Sequence, residues 1–232
     1  FLSTYCIMSA GDLFYFDFRG RGFIIRVLLD IAHVDYTDHR VTFEEWSSMK
    51  SDCTFGQLPV WKDSDVGTLS QSHSIHRYLA NKYNLNGKNA IETARIDEIY
   101  EEGNDLLDAS IRVVFSGDQF EEKKKNLIEN DIPKHIGFLT SLLKRNNDGN
   151  GWFVGDSLSL ADIQVFHIVN NLVRPWGPEL ISDELKAFLK RFREVPEVSK
   201  YLKEKMAKTT VAPVPGVKFL HLEEHFAGEF DN

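Results

Sequence analysis

The spacing of apolar positions changes character twice along this chain. Asp12–Phe16 (DLFYF) is strand-like, and Gly22–Ala32 (GFIIRVLLDIA) is an apolar stretch of helical character. Tyr36–Val41 reads as a second strand and Phe43–Met49 as a short helical or irregular segment. Leu58–Asp63 (LPVWKD) and Gly67–Ser70 (GTLS) read as two strands joined by the turn-forming SDVG. Ser72 is the predicted cap of a helix whose Ile75, Tyr78, Leu79 and Tyr83 have helical spacing. The order is βαβ followed by ββα. A strand–helix–strand unit needs a crossover, so the first two strands should be parallel and the next two an antiparallel hairpin.

LNGKN (85–89) reads as a linker, and beyond it only helical periodicity remains. Ile91–Phe115 is predicted as one long helix. Glu121–Arg145 is another, which Pro133 should kink or break because it lacks an N–H and clashes with the preceding turn. Ser159 followed by Asp162 resembles a capping box opening the helix ADIQVFHIVNNLV. Asp183–Glu194 and Glu197–Lys205 are two further helices, and the prolines and glycines after Thr209 suit a mobile or docked tail. The expected organisation is an N-terminal extension (1–11), an α/β domain (12–84), a linker (85–90), an all-helical domain (91–208) and a tail (209–232).

Composition narrows the function classes. With 42% hydrophobic and 27% charged residues the chain is an ordinary soluble globular protein. Its net charge of −8 argues against a nucleic-acid partner, and Lys123–Lys125, after Glu121 and Glu122, read as a solvated helix face. Two cysteines, Cys6 and Cys53, do not make a disulfide framework, which points to a reducing compartment and a cytoplasmic protein. No apolar stretch approaches the ~20 residues of a membrane span, so no membrane partner is expected. No basic region precedes an apolar core at the start, so no signal peptide is expected, and Met8 is a candidate start.

The chemistry begins at LFYFDFRGRG (13–22). A phenol, Tyr15, ends a strand, and Gly20, Arg21 and Gly22 open the helix after it. Helix starts favour negative charge because their first N–H groups are unpaired. Phenol, guanidinium and helix start together suit a small anion. Ser72 offers a hydroxyl and a second helix start to a carboxylate, or is a plain cap. Trp46 and Lys50, four apart, could share one face in a ligand site or in surface packing.

Five motifs in order, YFDFRGRG, YTDHRVTFEEW, FGQLPV, SQSHSIHRYLA and FVGDSLSLADI, carry a family resemblance running from about Leu13 to Lys205. The chain resembles the cytosolic glutathione transferases, most closely the sigma class, which includes the haematopoietic-type prostaglandin D synthases and the S-crystallins. The resemblance implies a thioredoxin-like N-terminal domain with a mixed sheet, an all-α C-terminal domain and a homodimer. Glutathione would be a co-substrate, with no other cofactor and no metal. It implies that Tyr15 is the catalytic tyrosine and that Arg21 supports the thiolate site. Trp46 and Lys50 would hold the glycine carboxylate of glutathione. Gln57 and Leu58 would meet the backbone of its cysteine beside a cis Pro59, where an extended peptide pairs like an added strand. Gln71 and Ser72 would bind the γ-glutamyl carboxylate, and Asp105 the γ-glutamyl amine of the partner subunit. Without the family, Asp105 is a solvated helix residue.

Energetics fit these roles. A thiol of pKa ~8.5 is only ~3% thiolate at pH 7. Lowering it to ~6.5 takes ~2.7 kcal/mol. A phenol donating to the anion supplies ~1.5–3 kcal/mol and a helix start ~0.3–1 kcal/mol. The implied reaction is conjugation of glutathione to small hydrophobic electrophiles. Two other readings stand beside it: a glutathione-dependent prostaglandin D isomerase, and a non-enzymatic S-crystallin-like or ligand-carrying protein. Arg112 stands about where the prostaglandin synthases carry an aromatic residue, which argues against the first. Gly22-Phe23 replaces the family's usual Ala-Glu, and glycine there costs roughly 0.5–1 kcal/mol relative to alanine; Phe23 is expected to turn into the core. Cys53 is a minor candidate for thiol-transferase chemistry. HLEEH (221–225) matches a zinc-protease pattern but lacks an obvious third ligand. His73 and His76 are expected on one exposed helix face.

Overall fold

A computed structural model describes residues 9–205. The extension's first eight residues with Cys6, the HLEEH run and the tail lie outside them. Seven elements come first: β1 (Asp12–Phe16), α1 (Gly22–Ile31), β2 (Thr37–Val41), α2 (Phe43–Met49), β3 (Val60–Asp63), β4 (Gly67–Ser70) and α3 (Ser72–Lys82). They form a thioredoxin-like unit with strand order β2-β1-β3-β4. β1 runs parallel to β2 and antiparallel to β3, and β3 and β4 make a hairpin. The helical part follows: α4 (Ala90–Val114), α5 (Phe120–Asn126), α6 (Ile132–Lys144), α7 (Leu160–Ile168), α8 (Asp183–Arg193) and α9 (Pro196–Glu204).

α1 is the central element. Every residue from Gly22 to Leu29 is buried, with the helix packed against α3, α7 and α9. Phe23 lies wholly inside, stacked on His167 with ring centres 4.8 Å apart and edge-on to Tyr201 at 5.7 Å. Arg26 is also fully buried. Its guanidinium meets the Asp38 carboxylate at 3.0 Å and donates to the carbonyls of Phe18 at 2.9 Å and Phe16 at 3.2 Å. A buried charge needs a full set of partners, and these ones fasten the loop after β1 to the helix that follows it.

α7 is buried along its whole length and starts on a capping box. Asp162 accepts from Ser159 N–H at 2.9 Å, Ser159 Oγ at 2.8 Å and Phe153 N–H at 2.9 Å. Burial pushes its carboxyl up to about 6, still ionised at neutral pH. Pro133 acts differently from expectation. It sits at the start of α6, and the turn before it, Leu127–Asp131, widens to a π-helix. The chain absorbs the missing N–H and the ring's clash by widening one turn rather than breaking. Two boundaries also differ. Leu58 and Pro59 precede β3, and Gln71 rather than Ser72 is the cap of α3, with Ser72 its first residue. The linker is docked: Leu85 C=O accepts from Leu160 N–H at 2.8 Å, and Asn86 is buried.

Two buried histidines make stability depend on pH. His76 and His167 are both driven down to about 3, chiefly by desolvation. Below pH 6.5 the unfolded chain takes up two protons that the folded chain refuses until about pH 3, so these groups cost stability as pH falls. Asp162 works the other way, holding a proton up to about 6 when folded against 3.8 when unfolded. Near pH 5 the balance is about one proton, on the order of 1 kcal/mol per pH unit. Urea midpoints should therefore fall from pH 7 to pH 5. Equal midpoints would show that the two imidazoles titrate freely.

Candidate active site

Tyr15 is the penultimate residue of β1, with only 5% of its surface exposed. Its hydroxyl oxygen accepts from Arg21 N–H at 3.0 Å, at the cap of α1. The seat is shaped by two glycines. A Cβ at Gly22 would lie 2.3 Å from Cδ1 of the Tyr15 ring, and one at Gly20 would lie 2.5 Å from its hydroxyl. Glycine at 22, read from sequence as a loss of helix stability, here lets the ring lie against the helix start. An alanine at 22 belongs with a different seat for the ring. Burial raises the phenol above its ordinary value, so it is neutral at physiological pH. With its oxygen accepting from the backbone, its O–H is left to donate.

The Arg21 guanidinium reaches outward to Ser72 Oγ at 3.4 Å, His73 Nε2 at 3.3 Å and Asp108 on α4 at 3.3 Å. Beside it opens a cleft of about 560 Å³. Of the residues that the resemblance assigns, Arg21, Trp46, Gln57, Leu58, Pro59, Gln71 and Ser72 line this cleft. The Leu58–Pro59 peptide is cis. Gln71 holds a left-handed backbone, φ 72°, as it turns from β4 into α3. Trp46 stands edge-on to Phe16 with ring centres 6.0 Å apart.

Three assigned residues do not line the cleft. Tyr15 lies beneath it, under Arg21. Lys50 stands behind Gly56, where a Cβ would sit 3.5 Å from Lys50 Cε. Asp105 is exposed on α4. The lining includes residues that sequence reasoning missed, notably Phe16, Phe55, His73 and Asp108. Asp108 lies three positions after Asp105, nearly one helical turn on, and His73 directly follows Ser72, so both carried a signal. Two expectations are corrected. His76 is not exposed: it is 2% accessible, while its neighbour His73 is half-buried. Cys53 lies outside the lining, and burial raises its thiol away from a reactive thiolate.

Comparison with known proteins identifies the family. Residues 11–81 match the family model for the glutathione S-transferase N-terminal domain, and 104–205 the one for the C-terminal domain. Probable glutathione S-transferase 5 of Caenorhabditis elegans is 33% identical over 202 residues, covering 84% of this chain and 96% of that protein. S-crystallin 4 of Enteroctopus dofleini is 29% identical, covering 85% and 98%. The solved Pi-class glutathione S-transferase of Onchocerca volvulus superposes with a TM-score of 0.81 at 32% identity, covering 88% of this chain and 98% of that one. Two matching domain models and a relative above 30% identity, aligned over nearly its whole length, lead to one assignment: the chain belongs to the glutathione S-transferase family.

Proposed function

We propose that this glutathione transferase conjugates the sulfur of glutathione to small hydrophobic electrophiles, as a cytoplasmic homodimer of sigma-like class. The carrying observation is the Arg21 N–H to Tyr15 Oη hydrogen bond of 3.0 Å. It turns the Tyr15 oxygen into an acceptor at the positive end of α1 and leaves the O–H for a sulfur anion. Glutathione lies along the cleft, its cysteine paired to the main chain at Gln57 and Leu58 before Pro59. Gln71 and Ser72 take the γ-glutamyl carboxylate, and Trp46 and Lys50 the glycine end. The thiol loses its proton to solvent, the thiolate accepts from Tyr15, and sulfur attacks the electrophilic carbon as the leaving group departs with its electron pair. Turnover of a chlorinated nitrobenzene, with and without glutathione, tests this directly. Glutathione binding without turnover would mark an S-crystallin-like protein instead.

Asp105 supports the dimer. It is exposed and off the cleft of its own chain, which suits a carboxylate meant for the neighbouring subunit's γ-glutamyl amine. Sedimentation at low micromolar concentration should show a dimer, and Asp105→Ala should weaken glutathione binding by about tenfold, the loss of one charge-assisted hydrogen bond. A monomer that binds glutathione at full strength would remove Asp105 from the site.

A further inference from the structure

Arg21 is held from both ends of its main chain. Its N–H meets Tyr15, and its C=O is met by His76 Nε2 at 3.1 Å. The other nitrogen of His76, Nδ1, lies 2.6 Å from the hydroxyl of Tyr100 on α4. Both side chains are buried, His76 at 2% accessible and Tyr100 at 0%. From these contacts we infer that His76 and Tyr100 are positioning residues for the thiolate site, acting on Tyr15 through the main chain of Arg21. The inference rests on the reading of Tyr15 proposed above and extends it to two side chains that never touch glutathione.

The proton positions follow from the chemistry of the partners. A carbonyl oxygen only accepts, so His76 Nε2 carries the hydrogen. Desolvation holds His76 neutral down to about pH 3, so Nδ1 is bare and must accept. Burial raises the Tyr100 phenol above its ordinary value, so it keeps its proton and donates. Each group has one role, and the donors run in one direction: Tyr100 O–H to His76, and His76 N–H to Arg21 C=O. The N–H of the same residue, across its Cα, points at Tyr15. Tyr100 is itself gripped from the side, with the Arg77 guanidinium 4.9 Å above its ring.

A buried imidazole is a costly residue unless both nitrogens are satisfied. What this one fixes is the residue that presents the N–H to the catalytic phenol and the guanidinium to Ser72 and Asp108. Without His76 the Arg21 carbonyl loses its side-chain donor, and the N–H beside it is free to drift from Tyr15. The phenol would then be a poorer donor to sulfur while the glutathione-binding groups at Trp46, Gln57 and Gln71 stay in place. The charged and titratable groups around the relay are Arg21 at the cap of α1, Arg26 on α1, His73 and Arg77 on α3, Glu101 and Asp108 on α4, and His167 on α7. None is changed in the test below.

The experiment is a pH titration of the ultraviolet thiolate absorbance of bound glutathione, with kcat and glutathione affinity alongside. It compares wild type, Tyr15→Phe, His76→Leu, His76→Gln and Tyr100→Phe. His76→Leu and Tyr100→Phe should raise the thiol pKa by about 0.5–1 unit, part of the 1–2 units that a hydrogen bond to a charge sets. kcat should fall about three- to tenfold below that pKa, with glutathione affinity within about twofold. His76→Gln, which keeps an N–H near Nε2, should recover most of the loss. If His76→Leu does not fold, Tyr100→Phe, which deletes one oxygen, carries the test alone. An unmoved thiol pKa in the folded variants overturns the inference, as does affinity falling in step with kcat, which marks a packing role. Tyr15→Phe separates the two levels. If it leaves the thiol pKa unmoved, the reading of Tyr15 itself fails; if it shifts the pKa and the relay variants do not, only the relay fails.

Discussion

Tyr15→Phe should lower conjugation turnover by about 10- to 150-fold while glutathione affinity changes by no more than a few-fold. The substitution removes one oxygen from a residue packed beneath the cleft, and the ring keeps its contacts with Phe16 and Phe18. What disappears is one hydrogen bond to a full negative charge, worth about 1.5–3 kcal/mol, which converts to that range of rates. Affinity survives because Trp46, Gln57, Leu58, Gln71 and Ser72 line the cleft independently of the phenol. Some activity should remain, since the Arg21 N–H at the start of α1 loses its acceptor and can turn toward the sulfur. The check is kcat at saturating glutathione beside a direct binding isotherm. Wild-type turnover in the variant would mean that another group holds the thiolate; a parallel collapse of binding would mean that the phenol anchors glutathione rather than activating it.

Asp162→Ala should destabilise the fold by about 3–5 kcal/mol. Three donors converge on this buried carboxylate: the N–H of Phe153 and both the N–H and hydroxyl of Ser159. Alanine removes the acid half of the capping box, about 1 kcal/mol, and leaves buried donors unpaired at about 1–3 kcal/mol each. Partial relaxation keeps the total below the simple sum. For a domain with ordinary stability of about 5–15 kcal/mol, such a loss brings it close to unfolding at 37 °C. Asp162→Asn keeps one acceptor oxygen and should lose about half as much. Urea unfolding of the two variants measures the difference. A midpoint for Asp162→Ala within experimental error of wild type would show that water replaces the carboxylate.

The strands, the parallel β1–β2 pair and the hairpin could be read from the sequence because each is a local pattern: an apolar run, a turn, a cap. The capping box at Ser159 and Asp162 was equally local. The seat of Tyr15 was not. That Gly22 accommodates a ring seven positions earlier depends on how β1 and α1 meet. Residues that line the cleft next to known motif positions, His73 beside Ser72 and Asp108 beyond Asp105, were within reach of helical spacing. His76 was out of reach. A histidine one turn from His73 looks solvated until Tyr100, twenty-four residues away, is brought to its Nδ1 by the docking of α4. Pro133 was recognised as a disturbance, but whether a helix breaks or widens to a π turn depends on the surrounding core rather than on the proline.

The seam along α1 and α3 bears on how this protein can be recombined. Arg77 on α3 reaches Asp97 at 2.9 Å and also Glu101, both on α4, and Phe23 on α1 is covered by His167 and Tyr201 from the helical part. A chimaera joined at 85–90 with a relative's helices would set Phe23 against a foreign surface and leave Arg77 searching for carboxylates. The unit that can be exchanged is therefore not a domain but a matched pair of faces. Grafting a new electrophile cleft should succeed only when Asp97, Glu101, His167 and Tyr201 travel with their counterparts Arg77 and Phe23, or when both sides of the seam are rewritten together.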